Sequence, residues 1–352
     1  MNPALHVKEE PVIDAIHDLV RLTGGDPESF DGRLVTQMVQ TSLRMIRDKH
    51  DTGQLKLMNA SLKEMWYAFR VFNQYLDTRK ISIFGSARTP EDHPDYLTAR
   101  EFSRLMAHAG WMCITGAGDG IMKAGHEGPQ RERSFGLSIR LPFETTANDV
   151  IENDPKLINF RYFFTRKLMF MSHAHAVAVF PGGFGTQDEL FESLVLVQTG
   201  KSNLIPIVLI EGEPGVYWNH WEKYIRHNLL KSGWISSEDV DIYHIASTPQ
   251  EAAEHILRFY STYHSSRYVD DWLVMRLQRR LSDAQVDRLN DEFGGLVKDG
   301  GRIEQRMAFE GEENHIHLPR IAFRHTKHHY GMVRRMIDRI NDFGAEAAST
   351  AA

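Results

Sequence analysis

The stretch "HAVAVFPGGFGTQDELFESLVLVQTG" (175–200) decides the reading of the fold. It opens on a short apolar run, 175–180, without the polar alternation of a strand that has one wet face; such a run suits a strand covered on both sides. Gly182, Gly183 and Gly185 follow within four residues, then Thr186. From there "TQDELFESLVLVQTG" (186–200) carries apolar residues at helical spacing and ends on Gly200, a helix-stop signal. Strand, glycine loop, helix is the repeating unit of an open parallel sheet wound on both faces.

That unit has a chemical corollary. Glycines take positive φ readily and let a backbone come close to a ligand. The first N–H groups of a helix have no partner in the helix, and its dipole favours an anion there. Thr186 adds a hydroxyl. The loop is therefore read as a site for phosphate or another compact anion. It is not a P-loop, since no Gly-Lys-Ser/Thr follows. Glu189 stands one helical turn after Thr186 on the same face. A carboxylate so near a phosphate has a use if it holds ribose hydroxyls and stabilises positive charge on the sugar. Thr186-x-x-Glu189 is equally a capping box, and spacing alone leaves both readings open. Asp188 reads as a helix-start acid facing solvent.

Working outward, strand and helix alternate from 81 to 260. "ISIF" (81–84) is a strand ending at Gly85-Ser86, and "DYLTAREFSRLMAHAG" (95–110) a helix. "WMCIT" (111–115) is a strand that runs into the glycine-rich "GAGDGIMKAGHEG" (116–128). "FGLSIRL" (135–141) and "LIPIVLI" (204–210) are strands, "GVYWNHWEKYIRHNLLKSG" (215–233) a helix, and "DVDIYHIAST" (239–248) an edge strand. The fold class is α/β, a doubly wound, Rossmann-like parallel sheet, with ligands expected at the carboxyl ends of its strands. Residues 1–80 read as a helical N-terminal extension, with a break at "RLTGGDPES" (21–29) and helices over 32–50 and 62–80. Residues 261–352 read as a mostly helical C-terminal extension: helix over 270–294, a short strand within 302–310, a closing helix over 328–344 and a frayed tail.

Composition excludes some functions. The 352 residues carry a formal net charge of −6, which argues against a broad basic face for nucleic acid. No run of about 18 apolar residues exists to span a membrane. The N-terminus has no basic, then apolar, leader pattern. Cys113 is the only cysteine and sits in an apolar run, so it reads as a buried thiol. Together these favour a cytoplasmic protein. "GAGDG" (116–120) follows the second strand rather than the first and has no ribose-binding acid at the right distance, which disfavours a nicotinamide-dependent dehydrogenase. Gly116 and Gly118 are read instead as part of the same pocket as the 182–186 loop. In "TRKLMF" (165–170), Arg166 and Lys167 interrupt an apolar helix. Arg166 suits a phosphate or carboxylate, or an ion pair with an acid such as Glu189. The five histidines of "HIHLPRIAFRHTKHH" (315–329) read as a solvated basic surface, with no metal site; Arg320, Arg324 and Lys327 are a candidate site for an anionic effector. The aromatic stretch "EMWYAFRVFNQY" (64–75) reads as core or oligomer interface.

These residues together resemble the LOG family, long labelled "lysine decarboxylase" in error, whose members cleave the N-glycosidic bond of nucleoside 5′-monophosphates. The family motif P-G-G-x-G-T-x-x-E is matched by 181–189, and its Arg-Lys pair, about fifteen residues earlier, by Arg166-Lys167. Gly85-Ser86, the run from Gly116, Gly118 and Gly120 to Met122, and "LPFETTAN" (141–148) complete the likeness. It is strong over 81–215 and looser in the flanks, which look like long bacterial members. Two departures stand out: the glycine turn reads G-A-G-D-G rather than G-G-G-x-G, so Ala117 and Asp119 are expected to narrow the pocket or change base preference, and His126 stands where Asn is common. The resemblance implies that Gly182, Gly183, Gly185, Thr186, Gly85, Ser86, Lys167, Gly116 and Gly118 bind phosphate and ribose, that Arg166 and Glu189 are catalytic, and that no metal or organic cofactor is needed. It implies AMP-like or cytokinin-type monophosphates as substrates, a homodimer or higher oligomer, and a possible nucleotide effector. The alternative is a non-catalytic carrier or sensor of a phosphorylated ligand, like the molybdenum-cofactor carriers, which share this fold and a similar loop.

Overall fold

The computed structural model of the chain describes residues 10–141, 147–310 and 312–351, so most of the "LPFETTAN" match lies outside the described residues. Two compact units are present, Met1–Glu64 and Met65–Ala352. In the first, α1 (Glu10–Leu22) and α2 (Phe30–Arg47) flank the "RLTGGDPES" break, and α3 (Thr52–Phe72) begins. Ser29 caps α2, its hydroxyl accepting from the Gly32 N–H at 3.0 Å.

The second unit is built on a seven-stranded parallel sheet. Its elements run β1 (Lys80–Phe84), α4 (Pro94–His108), β2 (Met112–Thr115), α5 (Ile121–Glu127), β3 (Ser134–Ile139), β4 (Leu157–Phe160), α6 (Phe163–Ser172), β5 (Ala176–Val179), α7 (Phe184–Gln198), β6 (Ile207–Ile210), α8 (Tyr217–Tyr224), β7 (Tyr243–Ala246) and α9 (Pro249–Phe259). The strand order is β4-β3-β2-β1-β5-β6-β7. The chain works outward from β1 on one side, then restarts beside it with β5, where Ser82 pairs Val177. Every residue of β1, β2, β5 and β6 is buried, which is why their sequences run apolar without alternation. Each such Ile or Val side chain contributes about 1.5–3 kcal/mol by leaving water. Cys113 lies in this core, and burial pushes its thiol well up, so it is inert.

Several boundaries differ from the sequence reading. The helix expected over 62–80 ends at Phe72, and the chain enters β1 at Lys80. Its aromatic stretch splits by face: Ala68, Val71 and Phe72 are buried while Trp66, Tyr67 and Phe69 are exposed. β4 was not read as a strand at all. The helix expected over 215–233 is α8 continued by a π-helical segment, Ile225–Leu230.

Past residue 260 the expectation of a mostly helical segment is corrected. β8 (Tyr263–Val269), β9 (Trp272–Leu277), α10 (Asp283–Phe293), β10 (Glu304–Arg306), β11 (Arg320–Arg324) and α11 (Tyr330–Ala351) follow, and the four strands form an antiparallel sheet, β10-β11-β9-β8. The helical reading of 270–294 holds only from Asp283, where Ser282 and Gln285 form a capping box. β9 is buried along nearly its whole length and so shows no period-2 signal. The supposed tail continues α11 to Ala351. The histidine-rich stretch is not simply a wet surface either, since Ile321, Ala322 and Phe323 of β11 are core. Arg320 is buried and its guanidinium is bound to Glu312 at 2.6 Å; Glu312 also takes Arg276 of β9 at 2.7 Å. Lys327 pairs with Asp271 at 2.6 Å and Arg324 lies over the Trp272 ring at 5.8 Å. Arg320, Arg324 and Lys327 therefore do not form one anion site: the first is spent on a buried carboxylate.

Candidate active site

A cavity of about 1210 Å³ opens at the carboxyl ends of β1, β2, β3 and β5. It sits where the strand order reverses between β1 and β5, the position at which splayed loops leave room for a ligand. Gly85, Ser86, Gly116, Gly118, Arg166, Gly182, Gly183, Gly185, Thr186 and Glu189 all contribute to its walls. The backbone explains the convergence. The Phe180 N–H donates to Phe84 C=O at 2.8 Å and the Ser86 N–H to Pro181 C=O at 3.1 Å, so the loops after β1 and β5 leave the sheet side by side. The Ile121 N–H donates to Ser86 C=O at 3.0 Å, which ties in the glycine turn.

The loop before α7 differs from a capping box. The helix begins at Phe184 with Gly183 as its N-cap, and no side chain caps it. Its first internal bond runs from the Gln187 N–H to Gly183 C=O at 3.0 Å. The amides ahead of Gln187 are thus outside the helix ladder, at the positive end of its dipole and at the cavity wall. Thr186 is buried and folds back over the loop: a Cβ on Gly182 would lie 2.2 Å from its Oγ1. Glycine at 182 is thus required by close approach rather than by φ.

Arg166 projects from α6 and is 7% exposed. Its Nε donates to Leu137 C=O at 2.8 Å and its guanidinium lies 5.3 Å from the Phe170 ring centre. A Cβ on Gly116 would meet its Nη2 at 2.3 Å, so the glycine turn and the arginine are fitted to one another. Glu189 is half-buried one turn into α7. Burial raises its carboxyl from 4.5 to about 7, against the attraction of Arg166 and Lys167 and with the help of Asp188 and Glu192. An acid balanced near neutrality beside a buried guanidinium, at a helix N-terminus, is a site where charge can be bound and moved.

Lys167 is not brought to the cavity. Its ammonium points along α7 and is held by Asp188 at 2.7 Å and Glu192 at 3.0 Å. Asp188 is exposed, as read, but serves that pair. Ala117 is one of the residues lining the cavity; its side chain is 1% exposed and packs against β3, where a Cβ on Gly136 would lie 3.0 Å from its own. Asp119 is exposed and is not one of the walls. Ala117 holds φ +64, a conformation costly for a residue with a Cβ. Bonds pin it there: its N–H donates to Thr115 Oγ1 at 3.1 Å and its carbonyl accepts from the Asn148 N–H at 2.8 Å. The fully buried His126 lies between Thr115 (2.9 Å) and Asn148, and burial holds its ring below its ordinary pKa. Arg88, Arg140 and Asn159 also line the cavity and were not singled out from the sequence. Arg88 had a signal, since it follows Gly85-Ser86 at a strand end; Asn159 had none until β4 was seen.

Among the described residues no group of three His, Cys, Asp or Glu is placed to hold a metal ion, and no helix is long and apolar enough to cross a membrane.

The fold and site define a doubly wound α/β protein with a glycine loop and a helix start lining a cavity at its switch point. Residues 117–256 match the model of the family described as "possible lysine decarboxylase". No curated protein matches the chain. Among solved structures it is similar to the molybdenum cofactor binding protein of the phototrophic bacterium Rippkaea orientalis, with 19% identity, 51% of this chain and 96% of that one covered, and a TM-score of 0.38. It is similar to the molybdenum cofactor carrier protein of Chlamydomonas reinhardtii, with 18% identity, 51% and 97% covered, and a TM-score of 0.37. It is also similar to DNA processing protein A of Helicobacter pylori, with 14% identity, 53% and 83% covered, and a TM-score of 0.34.

Proposed function

We propose that the protein hydrolyses the N-glycosidic bond of nucleoside 5′-monophosphates, AMP-like or cytokinin-type, to free base and ribose 5-phosphate. One observation carries the reading: an anion loop and an acid raised to about 7 lie one helical turn apart on α7, with Arg166 across from them. A carrier of a phosphorylated ligand needs the loop; it has no use for a half-buried acid and a buried guanidinium at the sugar.

In this mechanism the amides before Gln187 and the Thr186 hydroxyl take the 5′-phosphate. Glu189, as the carboxylate, accepts from ribose hydroxyls and stabilises the oxocarbenium-like transition state as the C1′–N bond breaks. The departing base carries away the bond's electron pair and gains a proton. Arg166 balances the charge of the site and assists that departure. Water adds to C1′, keeps one hydrogen as the new hydroxyl and gives up the other, which balances the proton the base gained. The family resemblance implies no metal or organic cofactor, a homodimer or higher oligomer, and work in the cytoplasm. On this reading residues 81–260 are the catalytic core, and 1–80 and 261–352 assemble or regulate it.

The test is a release assay with AMP, GMP, CMP, UMP and isopentenyl-AMP, detecting free base and ribose 5-phosphate, with Glu189→Ala beside the wild type. Release that disappears in a variant of unchanged melting temperature supports the hydrolase. Binding without release from any monophosphate overturns it in favour of the carrier.

A further inference from the structure

We propose that Tyr217, which stands behind the 182–186 loop, sets the loop's affinity for phosphate by fixing the orientation of its first peptide group. The proposal rests on the reading of that loop as a phosphate site, and not on the hydrolytic step.

Tyr217 is the first residue of α8 and is not part of the cavity wall. Its hydroxyl donates to Gly182 C=O at 2.6 Å and accepts from Gln187 Nε2 at 2.7 Å. Gln187 Oε1 in turn accepts from Trp221 Nε1 at 3.1 Å. The direction of every bond is forced. An indole N–H can only donate, so the glutamine oxygen faces Trp221 and its NH₂ faces the phenol. The phenol proton is then left for the Gly182 carbonyl. Tyr217 is itself anchored, since Glu211 at the end of β6 accepts from the Tyr217 N–H at 2.9 Å and the Trp218 N–H at 3.1 Å.

The consequence follows from peptide geometry. In a trans peptide the carbonyl and the next N–H point in opposite directions. Holding Gly182 C=O toward Tyr217 therefore turns the Gly183 N–H away from it, to the side where Gly182 and Gly183 line the cavity. That peptide has no side chain of its own to hold it. It joins two glycines, and a Cβ on Gly183 would meet nothing within 4 Å. Flipped, it would present a carbonyl oxygen to an anion. Tyr217 selects the orientation that attracts one.

The experiment measures binding of ribose 5-phosphate, AMP and adenosine by calorimetry, and steady-state kinetics with AMP, for wild type, Tyr217→Phe and Gln187→Met. Tyr217→Phe removes the bond to Gly182 and keeps the ring. The expected result is a loss of about fivefold in affinity for ribose 5-phosphate and AMP, the weight of one net hydrogen bond. Adenosine affinity should stay unchanged, KM for AMP should rise by a similar factor, and kcat should hold within about twofold. Gln187→Met, which leaves Tyr217 in place but undirected, should act the same way more weakly. Unchanged ribose 5-phosphate affinity in both variants overturns the proposal. So does an equal loss for AMP and adenosine, which marks general loosening of the fold. A wild type that binds ribose 5-phosphate but releases no base defeats the hydrolase reading while the binding comparison still decides this one. A wild type that binds no phosphate compound overturns both.

Discussion

Replacing Glu189 by Gln separates the acid's charge from its shape, and its effect on stability should depend on pH. The folded protein keeps the Glu189 proton up to about 7, while the unfolded chain releases it near 4.5. Between those values the unfolded state binds fewer protons, so the wild type loses stability as pH rises through the window. At 1.36 kcal/mol per pH unit this amounts to on the order of 3 kcal/mol, and the partial exposure of the side chain reduces it to about 2 kcal/mol. Gln carries no such penalty. Glu189→Gln should therefore match the wild type near pH 4.5 and melt about 4 °C higher above pH 7.5. Activity should move the other way. The carboxylate is the working form, so wild-type kcat/KM should climb as pH rises through about 7, and Glu189→Gln should fall by about 100-fold or more at every pH. Melting curves in a buffer series from pH 4.5 to 8.5, with base release measured on the same samples, would check both. A melting difference that is constant across the series would refute the claim that burial holds the carboxyl protonated.

Other substitutions test the remaining geometry. Gly116→Ala puts a methyl 2.3 Å from Arg166 Nη2; the guanidinium can swing aside, so base release should drop about 10- to 100-fold with a melting temperature within about 2 °C of wild type. Lys167→Met should leave affinity for ribose 5-phosphate within about threefold of wild type, because that ammonium is committed to Asp188 and Glu192; a large loss would return Lys167 to the phosphate site. Glu312→Ala strands two buried guanidiniums and should cost about 3–5 kcal/mol in urea unfolding, whereas Arg324→Ala should cost less than about 1 kcal/mol.

The sheet core was legible because burial on both faces writes itself into sequence as short apolar runs between glycine and helix signals. β1, β2, β5 and β6 came through for that reason. β4 did not: as an edge strand of four residues it has little room for a pattern. β8, with "YHSSRYV", carries too few apolar residues to signal a strand, and β9 merged with α10 because its apolar run leads on to the helically spaced Val286, Leu289 and Phe293. At the site, the glycines, Thr186, Arg166 and Glu189 could be named because residue type and spacing alone restrict their chemistry. Lys167 was misplaced because adjacent residues on a helix point about 100° apart, and only the α6–α7 packing says which one faces the ligand. Tyr217 and Trp221 were out of reach of sequence reasoning: they act on the loop from about 30 residues downstream, as two aromatics among many.

The Arg276–Glu312–Arg320 cluster has a meaning for how the second sheet assembles. Arg276 and Arg320 are direct register partners on β9 and β11, a juxtaposition of like charges that two strands would avoid on their own. It becomes tolerable only when the segment ahead of β11 delivers Glu312 between them. A one-residue slip would carry one arginine to the opposite face and leave the carboxylate half-answered. The cluster thus works as a checksum on strand pairing: β9 and β11 in the wrong frame could keep a backbone ladder but would bury charge without its partner, a state disfavoured by about 3–5 kcal/mol.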